Sequence, residues 1–241
     1  MERRKFTRER LMLFKDLGAG AATRAAASVE RIIGNQFDVS EINSGLIRME
    51  TLMEDSGDLE QEAVGIYTRV QGHAPGFAVF LFPKNQAPEL VYAMVGYESQ
   101  GMALYDTTPA LEELGDIVIS CLLDEISNRS GLTMWLTTAN VTVDMAGAIM
   151  SSLVSTGLET TDRALTVAFR FGKGPGFMDG LLLYVPDPGS MEMIEDSCKA
   201  HKGMNPALEV SGLSWSDIQT LREEVTDPMW KSGGSTGVYK Q

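Results

Sequence analysis

A helix-forming stretch near residues 109–130 carries two polar pairs whose spacing suits chemistry, Glu113 with Asp116 and Glu125 with Asn128. Side chains three apart on a helix project from one face, so each pair can offer two polar ends to one ligand. On spacing alone, all four residues read as a solvated polar face. The other candidates are weaker. His73 and His201 lie far apart, with no Cys or acid cluster at ligand spacing, so no metal site is expected. The run Gly172-Lys173-Gly174-Pro175-Gly176 lacks the spacing and Lys-Ser/Thr ending of a phosphate loop and reads as a hairpin turn. Cys121 and Cys198 fall in predicted helices among apolar residues and read as small buried hydrophobes in a reducing compartment.

Bulk composition narrows the setting. Thirty-three acids against twenty bases give a formal charge of −13, and counterion-release binding to nucleic acid needs the opposite. The same balance is what a high-salt cytoplasm favours. No apolar run approaches the roughly 18 residues of a membrane span. The start, Met1-Glu2-Arg3-Arg4-Lys5-Phe6, runs into Thr7-Arg8-Glu9-Arg10 and not into an apolar signal core. A cytoplasmic protein without membrane insertion is expected.

Two long helices are expected to position the polar pairs. The first covers about residues 7–33 and stops at Gly34; its centre, Leu17-Gly18-Ala19-Gly20-Ala21-Ala22-Thr23, is small on every side, which lets another backbone come close. The second opens near Pro109, with Thr107 or Thr108 as N-cap, and stops at Gly131. Strands are predicted from 37, over 63–70 and 77–82, then over 133–143, 164–171 and 180–185. Residues 55–58 read as a turn. Short helices are predicted over 83–95 and 145–156, and another after Ser190. The order repeats: Phe77-Ala78-Val79-Phe80-Leu81-Phe82-Pro83 answers Gly180-Leu181-Leu182-Leu183-Tyr184-Val185-Pro186.

The predicted class is α+β. Two pseudo-symmetric α/β repeats, about 7–100 and 107–202, form a mainly antiparallel sheet with the two long helices covering one face. One domain is expected over 1–202. Residues 203–241 read as an extension with one helix over about 214–224, then a flexible tail.

Several segments stand in the order and spacing of a known family. Val143-Asp144-Met145-Ala146-Gly147-Ala148-Ile149, Asp162-Arg163-Ala164-Leu165, Asp179-Gly180-Leu181-Leu182-Leu183 and Val185-Pro186-Asp187-Pro188 resemble the CheC family of chemotaxis phosphatases, the CheC/CheX/FliY group. Leu17-Gly18-Ala19-Gly20 resembles the glycine-rich part of that family's first long helix, and the likeness covers roughly residues 11–200. The resemblance implies removal of the aspartyl phosphate of the response regulator CheY, by a helix that bears Glu and, three residues on, Asn. The Asn amide orients a water in line with phosphorus and the Glu holds the regulator's lysine, so the gain comes from positioning. It implies no cofactor from the protein itself; Mg2+ would belong to the partner regulator.

Carried over residue by residue, the resemblance puts Glu113 at the Glu position and Asp116 where Asn is expected. Pro109 stands where Asp or Ser is expected, and Ala139 where Pro is expected. In the first half Leu13 and Asp16 take the Glu and Asn positions, so that site is expected to be inactive. Glu125 and Asn128, a literal Glu-x-x-Asn, form the alternative pair. A charged Asp116 near a phosphoryl group would cost about 2–3 kcal/mol at an effective dielectric near 20, roughly thirty- to a hundred-fold in rate. Weak or absent hydrolysis of a bound, phosphorylated CheY-type receiver domain is therefore expected. The family's second activity, binding the receptor deamidase CheD, maps to the helix over 145–156 through Met145, Gly147 and Met150. That helix contains no charged residue. The alternative role is a non-catalytic adaptor for CheD or another chemotaxis or motility-switch component.

Overall fold

A computed structural model describes residues 7–33, 39–52, 59–95, 107–158, 161, 163–171 and 178–204. The first long helix, α1, is Arg8–Ile33 and the second, α3, is Thr108–Ser130. Gly131 ends α3 at φ 72, and its N–H donates to Ser127 O at 2.8 Å, the left-handed stop that glycine supplies without a Cβ clash. Thr107 holds the N-cap position, but its side chain makes no capping bond; Pro109 pre-sets the first turn instead.

The strands are β1 Val39–Arg48, β2 Glu62–Gly72, β3 Gly76–Pro83, β4 Met134–Leu136, β5 Asn140–Met145, β6 Arg163–Phe171 and β7 Met178–Pro186. Three shorter helices follow strands: α2 Ala87–Val95, after a 3-10 turn at Lys84–Gln86; α4 Ala146–Leu158; and α5 Ser190–Met204. Every described strand pair is antiparallel, and the sheet runs β1-β6-β7-β3-β2-β4, with β5 also on β2. The order reads alike from either end when β1 is matched with β4 and β5, β2 with β6, and β3 with β7. Two interlocked copies of one unit would give this order.

The single strand predicted over 133–143 is two. Thr137 breaks it: its Oγ1 accepts from Arg69 N at 3.2 Å, and Thr68 Oγ1 donates to Thr137 O at 2.9 Å. The turns predicted at 55–58 and 172–176, the cap at Gly34 and the extension over 203–241 with its helix at 214–224 lie wholly or mostly outside the described residues.

Alternation in the strands builds two cores. Ala78, Phe80 and Phe82 of β3 join Leu17, Ala21, Leu111, Leu114 and Val118 beneath α1 and α3. Val79 and Leu81 point the other way, against Ile149 and Met150 of α4. The two long helices cover one face as expected, and the short α4 covers the other. The charge-free α4 has apolar residues that need cover, and the second sheet face supplies it.

The small residues of α1 work as predicted. A Cβ on Gly18 would sit 2.3 Å from Ser44 Cβ of β1, and Ser44 Oγ donates to Lys15 O at 2.8 Å, so helix and strand touch almost backbone to backbone. Gly115 of α3 does the same over β2, where a Cβ would meet Ile66 Cγ2 at 2.2 Å. At the other end, Arg10 of α1 lies buried against Glu195 of α5 at 3.3 Å, and Lys199 takes the second Glu195 oxygen at 2.6 Å.

Candidate functional site

The two long helices pack antiparallel. Gly20 of α1 lies against Glu125 of α3, and Ser28, two turns on, lies near Cys121, one turn back. Past these contacts the helices part, and an open groove of about 800 Å³ forms between the end of α1 and the start of α3. Its α1 wall is Ser28, Arg31 and Ile32. Its α3 wall carries Pro109, Glu112, Glu113 and Asp116, then Ile117, Ser120, Cys121 and Asp124 further along.

Glu113 is exposed, whereas Asp116 is partly buried on the same groove. Asp116 Oδ1 is shut off from water and has no hydrogen-bond partner. Burial, and secondly the carboxylate of Glu112 one turn back, hold the Asp116 carboxyl above its ordinary range. Across the groove, Arg31 Nε donates to Ala27 O at 3.3 Å and Nη2 to Ser28 Oγ at 3.1 Å. The site can therefore offer a partner an exposed carboxylate, a half-sheltered carboxyl and apolar side chains at Ile32 and Ile117 on its two walls. Of the groove residues, the sequence pointed to Pro109, Glu113 and Asp116 on α3, but not to Ser28, Arg31 and Ile32, which belong to no motif. The only available signal was the length of α1.

The alternative pair is corrected. Asn128 is exposed, but Glu125 is 6% exposed, and Arg24 and Arg129 hold its two oxygens at 2.7 and 2.6 Å. Gly20 makes room for that carboxylate; a Cβ there would lie 2.6 Å from Glu125 Cδ. Glu125 pins α1 to α3 and presents no free carboxylate to a partner. In the first half, Leu13 packs partly against the core and Asp16 is partly buried. Pro109 is exposed at the first turn of α3, and Ala139 is buried.

The three residues assigned to a second partner separate. Met145 ends β5 and is 54% exposed. Gly147 is partly buried, its N–H donating to Leu59 O at 2.9 Å. Met150 is 1% exposed in the core under α4, so it is unavailable to a partner. The outer side of α4 shows Ala148, Ser151 and Ser152 instead. His73, at the bend before β3, accepts at Nδ1 from Thr133 N at 3.0 Å, and the His201 ring of α5 lies beside Gly131 at the end of α3. Both cysteines are free and buried. No described helix is long and apolar enough to cross a membrane.

An antiparallel sheet under two long helices, with this connectivity, is the fold of the FliY and FliM class of proteins. Thermotoga maritima FliY superposes with a TM-score of 0.64 at 14% identity, covering 81% of this chain and 98% of that one. H. pylori FliM, from its complex with SpeE, gives 0.54 at 9% identity, covering 85% and 100%. No family model matches the sequence. The CheY-P phosphatase CheC of Bacillus subtilis (strain 168) is 21% identical over 147 residues, 59% of this chain and 70% of that protein. The chain thus shares the fold of FliY and FliM and is similar in sequence to a CheY-P phosphatase, CheC.

Proposed function

We propose that this chain binds a phosphorylated CheY-type receiver domain on the groove face of α3 and hydrolyses its aspartyl phosphate weakly or not at all. The observation that carries the reading is that Glu113 stands exposed on the same groove as Asp116, one turn away. The similarity to a CheY-P phosphatase supports it. Glu113 supplies the anion that grips a cationic side chain of the receiver, and Asp116 is the group nearest the phosphoryl site. In this reading the chain contributes no cofactor, any Mg2+ is the regulator's, and both proteins are cytoplasmic. Binding of a beryllofluoride-loaded CheY-type receiver, together with phosphate release from the phosphorylated form, tests it. Loss of binding with Glu113→Ala is expected; unchanged binding defeats the proposal.

A second reading rests on Met145, a large apolar side chain left 54% exposed beside the uncharged α4. There the chain acts as a non-catalytic adaptor that docks CheD or another chemotaxis component. Met145→Asp abolishing such docking, with receiver binding absent from the start, would favour it.

A further inference from the structure

The groove leaves one polar atom unaccounted for. Asp116 Oδ1 is buried and accepts no hydrogen bond, although a carboxylate oxygen taken out of water is ordinarily paired. The titratable and charged groups that line the groove with it are Glu112, Glu113, Cys121 and Asp124 on α3 and Arg31 on α1. Three are carboxyls, and the Cys121 thiol, pushed up by burial, brings no positive charge. Among the described residues Arg31 is the one cation in the lining, and its Nε and Nη2 are committed to Ala27 and Ser28 of its own helix. Burial and Glu112 penalise a charge on Asp116, and no described lining residue supplies a counter-ion to hold one.

Resting on the receiver-binding reading above, we infer that Asp116 meets the phosphoryl group as a neutral carboxylic acid, donating its O–H to a phosphoryl oxygen. A protonated carboxyl offers one donor and keeps acceptor capacity, the same set that an asparagine amide presents, with no charge to repel the phosphate. The repulsion expected from a charged Asp116 then does not arise. Burial and Glu112 act on this carboxyl in the direction the role requires. An arriving phosphoryl group adds negative charge and holds the proton more firmly. Recognition by this route is coupled to protonation: binding weakens as rising pH removes the proton.

The test measures the affinity of the full chain for a beryllofluoride-loaded CheY-type receiver across pH, beside Asp116→Asn, and follows the Asp116 carboxyl carbon by NMR in the free protein. Wild-type affinity is expected to fall about tenfold per pH unit, relative to Asp116→Asn, once the pH passes the Asp116 pKa. The amide variant keeps a donor and does not titrate, so it corrects for any pH dependence of the receiver itself. The carboxyl carbon is expected to titrate above the ordinary aspartate range. A wild-type to variant ratio that stays constant with pH overturns the inference and leaves receiver binding standing. An Asp116 that titrates in the ordinary range overturns it as well. Failure of both proteins to bind at every pH overturns the receiver reading itself.

Discussion

Arg24 of α1 reaches across the helix pair to Glu125 of α3, Nε to Oε2 at 2.7 Å, while Arg129 closes on the other oxygen at 2.6 Å. This buried carboxylate is the polar centre of the α1–α3 contact. Its counter-ions come from both helices, one of them a hundred residues away in sequence.

Replacing Glu125 should therefore be felt in stability and not in binding. Glu125→Gln is expected to destabilise the fold by about 1–3 kcal/mol, toward the low end because Arg24 is half exposed and can return to water. Receiver affinity should stay within twofold. Urea unfolding beside a binding titration checks both; intact stability with lost binding would return Glu125 and Asn128 to the site.

Asp116→Asn should stabilise the free protein, increasingly so toward neutral pH. A carboxyl whose folded pKa is raised contributes fully below its unfolded value, near 3.9, and loses that contribution as pH climbs through the folded one. The melting-temperature difference between variant and wild type should widen from about pH 4 to pH 7. Parallel curves would mean that the groove does not penalise the charge.

Two glycines give a paired test of packing. Gly115→Ala places a methyl 2.2 Å from Ile66 Cγ2, and such overpacking costs about 1–3 kcal/mol. Gly45→Ala, on β1, meets nothing within 4 Å and should change stability by less than about 0.5 kcal/mol. Thermal melts of the two variants decide whether close approach of α3 to the sheet, and not glycine as such, is what the fold needs.

Alkaline pH should unfold the protein partly through α5. Burial raises the Cys198 thiol to about 11 against the opposing pull of Arg129, and burial also raises the Tyr184 hydroxyl, which donates to Ala74 O at 2.7 Å. Both groups favour their neutral forms in the fold, so stability holds below about pH 8.5 and falls as pH rises toward 11. Cys198→Ser should make that decline shallower without abolishing it, since Tyr184 remains. A decline unchanged by the substitution would place the alkaline sensitivity elsewhere.

Local signals carried much of the fold. Pro109 and Gly131 bracket α3, the one by fixing its own φ and the other by tolerating a left-handed φ of 72, and β3 declares itself by an unbroken apolar run that is buried on both faces. What stayed hidden was non-local. Thr137 interrupts a strand through bonds to Thr68 and Arg69, some seventy residues earlier. The apolar side of α4 was legible, but not which sheet face would cover it. At the site, the position of Glu113 followed from resemblance, and the structure added the α1 wall. Arg129, four residues after Glu125, gave a visible warning that Glu125 was paired; Arg24 gave none.

The sheet order has a consequence for origin. Strand β1 of the first half finds its partner in β6, and β5 of the second half pairs with β2, so each half holds an edge of the other. An ancestor containing a single unit would have had to assemble as a homodimer with exchanged strands, and gene fusion would then have turned that association into one chain. Two fragments cut between the halves should each remain unfolded alone and rebuild the sheet only when mixed.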